Sequence, residues 1–209
     1  MKALLINGSP RPNGCTFTAL TELANTLEAE GIETEIVHVG NKDIRGCIAC
    51  RRCHSTGSNK CVFDDIVNEV APKLAEADAF VIGAPVYFGS PAGGAISFMD
   101  RLFFSTLNID KTMKVGASVV TCRRGGNTAS YDVLNKYFTI SRMPVVSSRY
   151  WNMVHGQTPE DVMQDAEGMQ VMELLGRNMA WLLKCIEAGK NAGIACPVPE
   201  KVIRTNFIR

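Results

Sequence analysis

Four of the eight cysteines in this chain fall between positions 47 and 61, in the run Cys47-Ile48-Ala49-Cys50-Arg51-Arg52-Cys53 followed by Cys61. A spacing of C-x2-C-x2-C-x7-C lets four thiolates on one loop converge on a metal centre, and the spacing alone does not say which. Arg51 and Arg52 lie inside the run, where their charge can partly offset that of the thiolates. A second group is Gly8-Ser9-Pro10-Arg11-Pro12-Asn13-Gly14-Cys15-Thr16, set between an apolar run and a helical stretch. At such a turn the free backbone N–H groups and the positive end of the helix dipole favour an anion. Ser9 and Thr16 add hydroxyl donors and Arg11 a charged fork. Neither G-x4-G-K-[ST] nor G-x-G-x-x-G occurs, which excludes a nucleoside triphosphatase loop and leaves the standard dinucleotide fingerprint absent. The plain alternative is a strand-to-helix turn with no ligand.

Two further stretches carry weaker signals. In Ala84-Pro85-Val86-Tyr87-Phe88-Gly89-Ser90-Pro91, two aromatic residues beside a glycine could pack against a flat ring, or could simply enter the core. His155 reads first as a loop histidine with a structural hydrogen bond, and second as a group near a ligand. Cys122, Cys185 and Cys196 follow no spacing rule. Cys185 falls on the apolar stripe of the last helix and is expected in the core, as are the methionines from Met163 to Met179.

The elements that must position these residues follow from hydrophobic periodicity. Ala3 to Asn7 reads as a buried strand, and Thr18 to Glu30 as a helix with Gly31 at its end. Glu33 to Val39 is a second strand, and the polar stretch from 40 to 62 is a cysteine-rich insert. Asp64-Asp65 can cap a helix carrying Val67, Val70, Ala71 and Leu74, which Pro72 should kink or shorten. Ala79 to Ala84 is a third strand, apolar throughout as when both faces are covered. Gly93 to Phe104 is a helix, Lys114 to Thr121 a fourth strand, Gly126 to Phe138 a weaker helix, and Pro144 to Ser148 a fifth strand. Thr158-Pro159-Glu160-Asp161 is a helix start, with a hydroxyl cap, proline and then acids. That helix should run to about Ala188. The last twenty residues show no pattern. Alternating strands and helices predict an α/β fold: a doubly wound, five-stranded parallel sheet in a three-layer α/β/α sandwich, over a single domain spanning 1–209. Ligands of such folds bind at the carboxyl ends of the strands, where the loops 8–17, 85–91 and 122–127 leave the sheet.

The totals narrow the class. The chain has 209 residues, 46% hydrophobic and 21% charged, with a net charge of +1. Mixed charges argue against a nucleic-acid or membrane-surface role, and no apolar run reaches the length of a membrane span. The first residues do not read as a signal peptide. A reducing cytoplasm is expected, where cysteines bind metal, react or lie buried, and do not staple the fold.

Together these motifs resemble the NADPH-dependent FMN reductase superfamily, and within it the iron–sulfur flavoproteins, over roughly residues 1 to 190. The resemblance rests on Gly-Ser-Pro-Arg-x-Asn-Gly-x-Thr, Pro-Val-Tyr-Phe-Gly-Ser and the cysteine run between them. It implies a flavodoxin-like fold that binds FMN. Ser9, Arg11, Asn13, Gly14, Cys15 and Thr16 would form the phosphate loop, although Cys15 departs from the asparagine of many relatives. Pro85, Val86, Tyr87, Phe88 and Gly89 would lie beside the isoalloxazine ring, with Thr121, Arg123, Arg124 and Gly125 in a third flavin loop. Cys47, Cys50, Cys53 and Cys61 would hold a 4Fe–4S cluster. Zinc and a metal-free set of redox thiols stay open beside it. The implied activity is an FMN-dependent oxidoreductase with NAD(P)H as a donor. Its acceptor would be a quinone, a flavin, another small molecule or a redox carrier protein. Hydride transfer to a flavin requires no side-chain acid or base, so no catalytic residue is named. A homodimer or homotetramer is implied too. The other classes are a flavodoxin-like electron carrier, which the near-neutral charge opposes, and a cysteine-based redox sensor.

Overall fold

Successive strand residues point to opposite faces of a sheet, so a run such as Ala3-Leu4-Leu5-Ile6 needs cover on both sides. The computed structural model, which describes residues 1–198 and 200–207, supplies that cover. β1 (Lys2–Asn7) lies between β2 (Glu33–His38) and β3 (Ala79–Tyr87). β5 (Val115–Cys122) and β6 (Met153–His155) complete a parallel sheet of order β2-β1-β3-β5-β6, and the two-residue β4 (Ser90–Pro91) turns back on β3. The spatial order of the parallel strands is that of flavodoxin-like folds.

Helices cover both faces. Ala3, Leu5, Val81 and Val119 face a core built with α1 (Cys15–Ala29) and α7 (Ala166–Asn191). Leu4, Ile6, Phe80, Ile82 and Val120 face α3 (Ile66–Glu76), α4 (Gly93–Ser105) and α5 (Asn127–Ile140). The cysteine insert follows β2, carries the short α2 (Arg52–Thr56) and lies against α4. α3 continues through Pro72, and its Asp65 cap accepts from the Val67 N–H at 3.1 Å.

Four expectations are corrected. The segment Pro144–Ser148 makes only one bridge, Val145 with Gly116, and the last strand is β6, in register with β5 from Val120↔Met153 to Cys122↔His155. Three residues are too few to show a period. The single helix expected from Thr158 is two, α6 (Pro159–Gln164) and α7, parted at Asp165. There the Asp165 carboxylate accepts from the Gly168 and His155 N–H groups at 3.0 and 2.7 Å, a local alternative to continuous helix. Cys185 is exposed, because the buried stripe of α7 runs through Met172, Leu175, Met179 and Leu183 and passes it by. Met163 is exposed as well, on α6, while Met169, Met172 and Met179 fill the core as expected.

Candidate functional site

The carboxyl ends of β1, β3 and β5 bring three loops together. In the first, Asn7 is fully buried and organises the turn. Its Nδ2 donates to the Pro12 carbonyl at 3.0 Å, and its Oδ1 accepts from the Ser9 N–H at 3.1 Å. Ser9 Oγ in turn accepts from the Arg11 N–H at 3.2 Å. His38, at the end of β2, holds the Ser9 carbonyl at 2.8 Å. Gly40 passes so near that a Cβ there would lie 2.2 Å from the Ser9 carbonyl oxygen, so only glycine fits. α1 then begins at Cys15 after an extended Gly14, with no side-chain cap and no acid in its first turn. Its first N–H groups and the exposed Arg11 thus form a site suited to an anion.

The hydroxyls of Thr16 and Thr121 meet at 2.9 Å, both buried, and fasten the first loop to the end of β5. Cys15 directs its thiol to the Gly156 carbonyl at 3.6 Å. Burial pushes the thiols of Cys15, Cys53 and Cys122 above the ordinary cysteine value.

The second loop is a β-hairpin. β3 runs on through Pro85 and Val86 to Tyr87, which pairs with Ser90 across the two-residue turn Phe88-Gly89. Both turn residues have positive φ, 51° and 77°, as a type I′ turn requires. Tyr87 is half exposed and Phe88 wholly so, which rejects the alternative that these rings enter the core. Gly126, at φ 88°, meets the hairpin tip: a Cβ there would lie 2.8 Å from Gly89 Cα. Thus the third loop, with exposed Arg123, Arg124 and Gly125, closes against the second. His155 ends β6 beside it. Its Nε2 accepts from Asn127 Nδ2 at 3.1 Å, and Nδ1 lies 3.7 Å from Asp165 Oδ2. These contacts suit the structural reading of that histidine.

On the α4 face, Cys47, Cys50, Cys53 and Cys61 line one cavity, together with Phe63, Arg101 and Phe104. Left-handed Ala49 and Arg51, at φ 54° and 55°, bracket Cys50 and turn the chain twice in three residues. Cys53 and His54 are tied to α4 through the Phe104 carbonyl, at 3.9 Å from Sγ and 3.1 Å from Nε2. All four thiols are free. Among the described residues, no three His, Cys, Asp or Glu side chains converge on a single-ion position.

Sequence reasoning missed the residue that builds this wall. Arg101 is 1% exposed. Its guanidinium grips Asp65 with two nitrogens at 2.6 and 2.9 Å, donates to the Phe63 carbonyl at 3.2 Å, and gives Nε–H to Cys61 Sγ at 3.2 Å. Burial works against its charge, but the hydrogen bonds to Asp65 and Cys61 more than offset it, so the guanidinium is held above its ordinary value. The Phe63 ring lies under both Arg101 and Arg45, at 5.1 and 4.8 Å. Asn68 clamps the same segment, accepting from the Cys61 N–H at 2.7 Å and donating to the Cys61 and Phe63 carbonyls.

Sheet order, helix layers and the loop cluster at the strand ends define a flavodoxin-like α/β protein. More narrowly, the chain belongs to the NADPH-dependent FMN reductase family, whose sequence profile matches residues 1–158. It is 34% identical to an iron-sulfur flavoprotein of Methanocaldococcus jannaschii over 194 residues, covering 90% of this chain and 100% of that one. An iron-sulfur flavoprotein of Methanosarcina thermophila is 27% identical, covering 91% of this chain and 100% of its own. Among solved structures, RosB with a bound 8-demethyl-8-formylriboflavin-5'-phosphate superposes with a TM-score of 0.69 at 18% identity, over 99% of this chain and 92% of that one. A flavodoxin from the domain Archaea superposes at 0.59 and 15% identity, over 88% and 99%. Family membership makes the chain an oxidoreductase of the flavoprotein class. No helix among the described residues is long and apolar enough to cross a membrane.

Proposed function

We propose that this protein is an FMN-dependent oxidoreductase with a 4Fe–4S cluster, taking electrons from a reduced donor and delivering them to a small acceptor or an electron-carrier protein. The observation that carries the reading is one cavity lined by all four spaced cysteines, in a chain whose first strand ends in an uncapped helix N-terminus. The residues present fit both groups. Arg11, the Ser9 hydroxyl and the first N–H groups of α1 would hold a flavin phosphate, in the loop that Asn13, Gly14 and Thr16 complete. The hairpin of Tyr87, Phe88 and Gly89 would cover the flavin ring and keep water from it, with Arg123, Arg124 and Gly125 on its other border. When bound, FMN supplies hydride acceptance and release of one or two electrons. Cys47, Cys50, Cys53 and Cys61 would ligate the cluster, whose chemistry is single-electron transfer. The donor proposed is NAD(P)H or a reduced carrier, and the acceptor a quinone, a flavin or a carrier protein. The protein would work as a homodimer or homotetramer in a reducing cytoplasm, which suits eight free thiols.

Protein purified without oxygen tests this directly. Flavin bands with a broad shoulder near roughly 400 nm, and about four irons and four acid-labile sulfides per chain, are expected for this centre. Flavin without iron would leave a flavin reductase whose cysteine loop is structural or redox-sensing. Rapid NAD(P)H oxidation by the protein alone would exclude a passive carrier.

A further inference from the structure

Cys61 differs from the other three cysteines in how it is held. Cys47 and Cys50 are exposed, in an irregular part of the insert. Cys61 is fixed from two helices at once: Asn68 of α3 holds its backbone N–H and carbonyl, and Arg101 of α4 donates to its sulfur. Arg101 is itself immobilised. Its side chain is wholly buried, Asp65 takes both terminal nitrogens, and the Phe63 carbonyl takes one of them as well. A planar guanidinium can serve these partners together because its donors point in fixed, divergent directions; an ammonium cannot.

We infer that Arg101 is a positioning residue for the cluster ligand Cys61, which it aims and charge-stabilises, and that it thereby raises the reduction potential of the cluster. The inference rests on the cluster reading above. Hydrogen bonds to ligating sulfur are one of the levers by which a protein sets such potentials. The reduced form of a bound cluster carries one more negative charge than the oxidised form. A buried cation donating to a ligand sulfur therefore favours the reduced form, where little water screens it. The Asp65 carboxylate tempers this field and fixes the direction of Nε–H. Cys47 and Cys50, on the exposed part of the insert, would close on a sulfur already in place.

The test compares wild type with Arg101→Lys, Asp65→Asn and Asn68→Ala, each loaded anaerobically with iron and sulfide. FMN content serves as the control for folding, because the flavin loops lie on other elements. For each protein the cluster potential is read by a spectroscopic redox titration, and cluster loss by the half-life in excess chelator. Arg101→Lys should keep FMN, shift the cluster potential to more negative values and lose iron several-fold faster. Asn68→Ala, which loosens the backbone of Cys61 but leaves the N–H to sulfur contact, should lose iron faster with little change in potential. An Arg101→Lys protein with normal FMN, wild-type potential and wild-type half-life would overturn the inference while leaving the cluster intact. If Arg101→Lys does not fold, Asp65→Asn decides. It should change both potential and half-life, and wild-type values for both would overturn the inference. A wild type that takes up no iron overturns the cluster and this inference together.

Discussion

At the scale of single residues, the anion site depends on groups that hold one another. Arg11 is exposed and free to bond a ligand, and charge-assisted hydrogen bonds contribute about 1.5–3 kcal/mol. Arg11→Ala should therefore weaken FMN binding by ~1–3 kcal/mol, read by flavin fluorescence titration of the apoprotein; unchanged affinity would remove the arginine from the phosphate site. Thr16 and Thr121 pair inside the protein. Thr121→Val leaves the Thr16 hydroxyl buried without its partner and should cost about 1–3 kcal/mol of stability in urea. The double change to Val at both positions should cost less than the sum of the single ones, because no orphan remains. The residues named from the sequence are those in short motifs: Gly8 to Thr16, Pro85 to Gly89, and Cys47, Cys50 and Cys53 with Cys61. Asn7, Asn68 and Arg101 were not, because what they do depends on the tertiary structure. Arg101 meets Cys61, Phe63 and Asp65 only after α4 has packed against the insert, from 36 to 40 positions away in the chain. The available signal was a charge set among apolar residues, Phe98-Met99-Asp100-Arg101-Leu102-Phe103. Such a charge is more often a solvated edge than a buried anchor.

At the scale of elements, β1, β3 and β5 were readable because a strand covered on both faces is a continuous apolar run. β6 was not, being three residues long, and neither was the break at Asp165, where an N-cap interrupts an unbroken helical period. The hairpin β3–β4 hid in a loop for a different reason. Its turn is Phe88-Gly89, where the preferred pair is Asn-Gly. Phenylalanine at φ 51° is strained, at roughly 1–2 kcal/mol for an L-residue in the left-handed region. The ring packs on nothing that offsets the strain, being 110% exposed. Strain kept at such a place points to function. Phe88→Asn should accordingly raise stability by about 1 kcal/mol in chemical denaturation. It should also weaken FMN binding by about 0.5–1.5 kcal/mol, the scale of an aromatic contact. A variant that gains stability and binds FMN as well as wild type would show that the ring does not face the flavin.

At the scale of the whole molecule, the two faces of the sheet carry different chemistry. α1 and α7 bury an aliphatic core, whereas the α3–α4–α5 layer holds the buried cations, Arg101 beside the cysteines and Lys111 just beyond the end of α4. Lys111 is 6% exposed, and its ammonium donates to the Thr106 and Ile109 carbonyls, capping a helix end where free carbonyls collect. Arg101 has a carboxylate against it; the Lys111 amine meets the Thr106 and Ile109 carbonyls and, at 5.8 Å, the Phe103 ring, with the Asp110 carboxylate acting on it more weakly than burial does. Burial pushes Lys111 down to about 8 from an ordinary 10.5. The folded chain therefore releases this proton before the unfolded chain does. Between about pH 8 and 10.5 the unfolded state binds more protons, so this lysine makes stability rise with pH across that window. Tyr137, raised by burial and by its bond to Asp100, acts in the opposite sense above its ordinary value of 10, as do the buried thiols above 9. The contribution of Lys111 is isolated by difference: urea stability of wild type and Lys111→Met at pH 8 and pH 10. From pH 8 to pH 10 the wild type should gain on the variant by an amount on the order of 1–2 kcal/mol, since each pKa unit corresponds to 1.36 kcal/mol. Parallel stability curves for the two proteins would mean that the ammonium keeps its proton, and that the carbonyl cage at the end of α4 solvates it as well as water does.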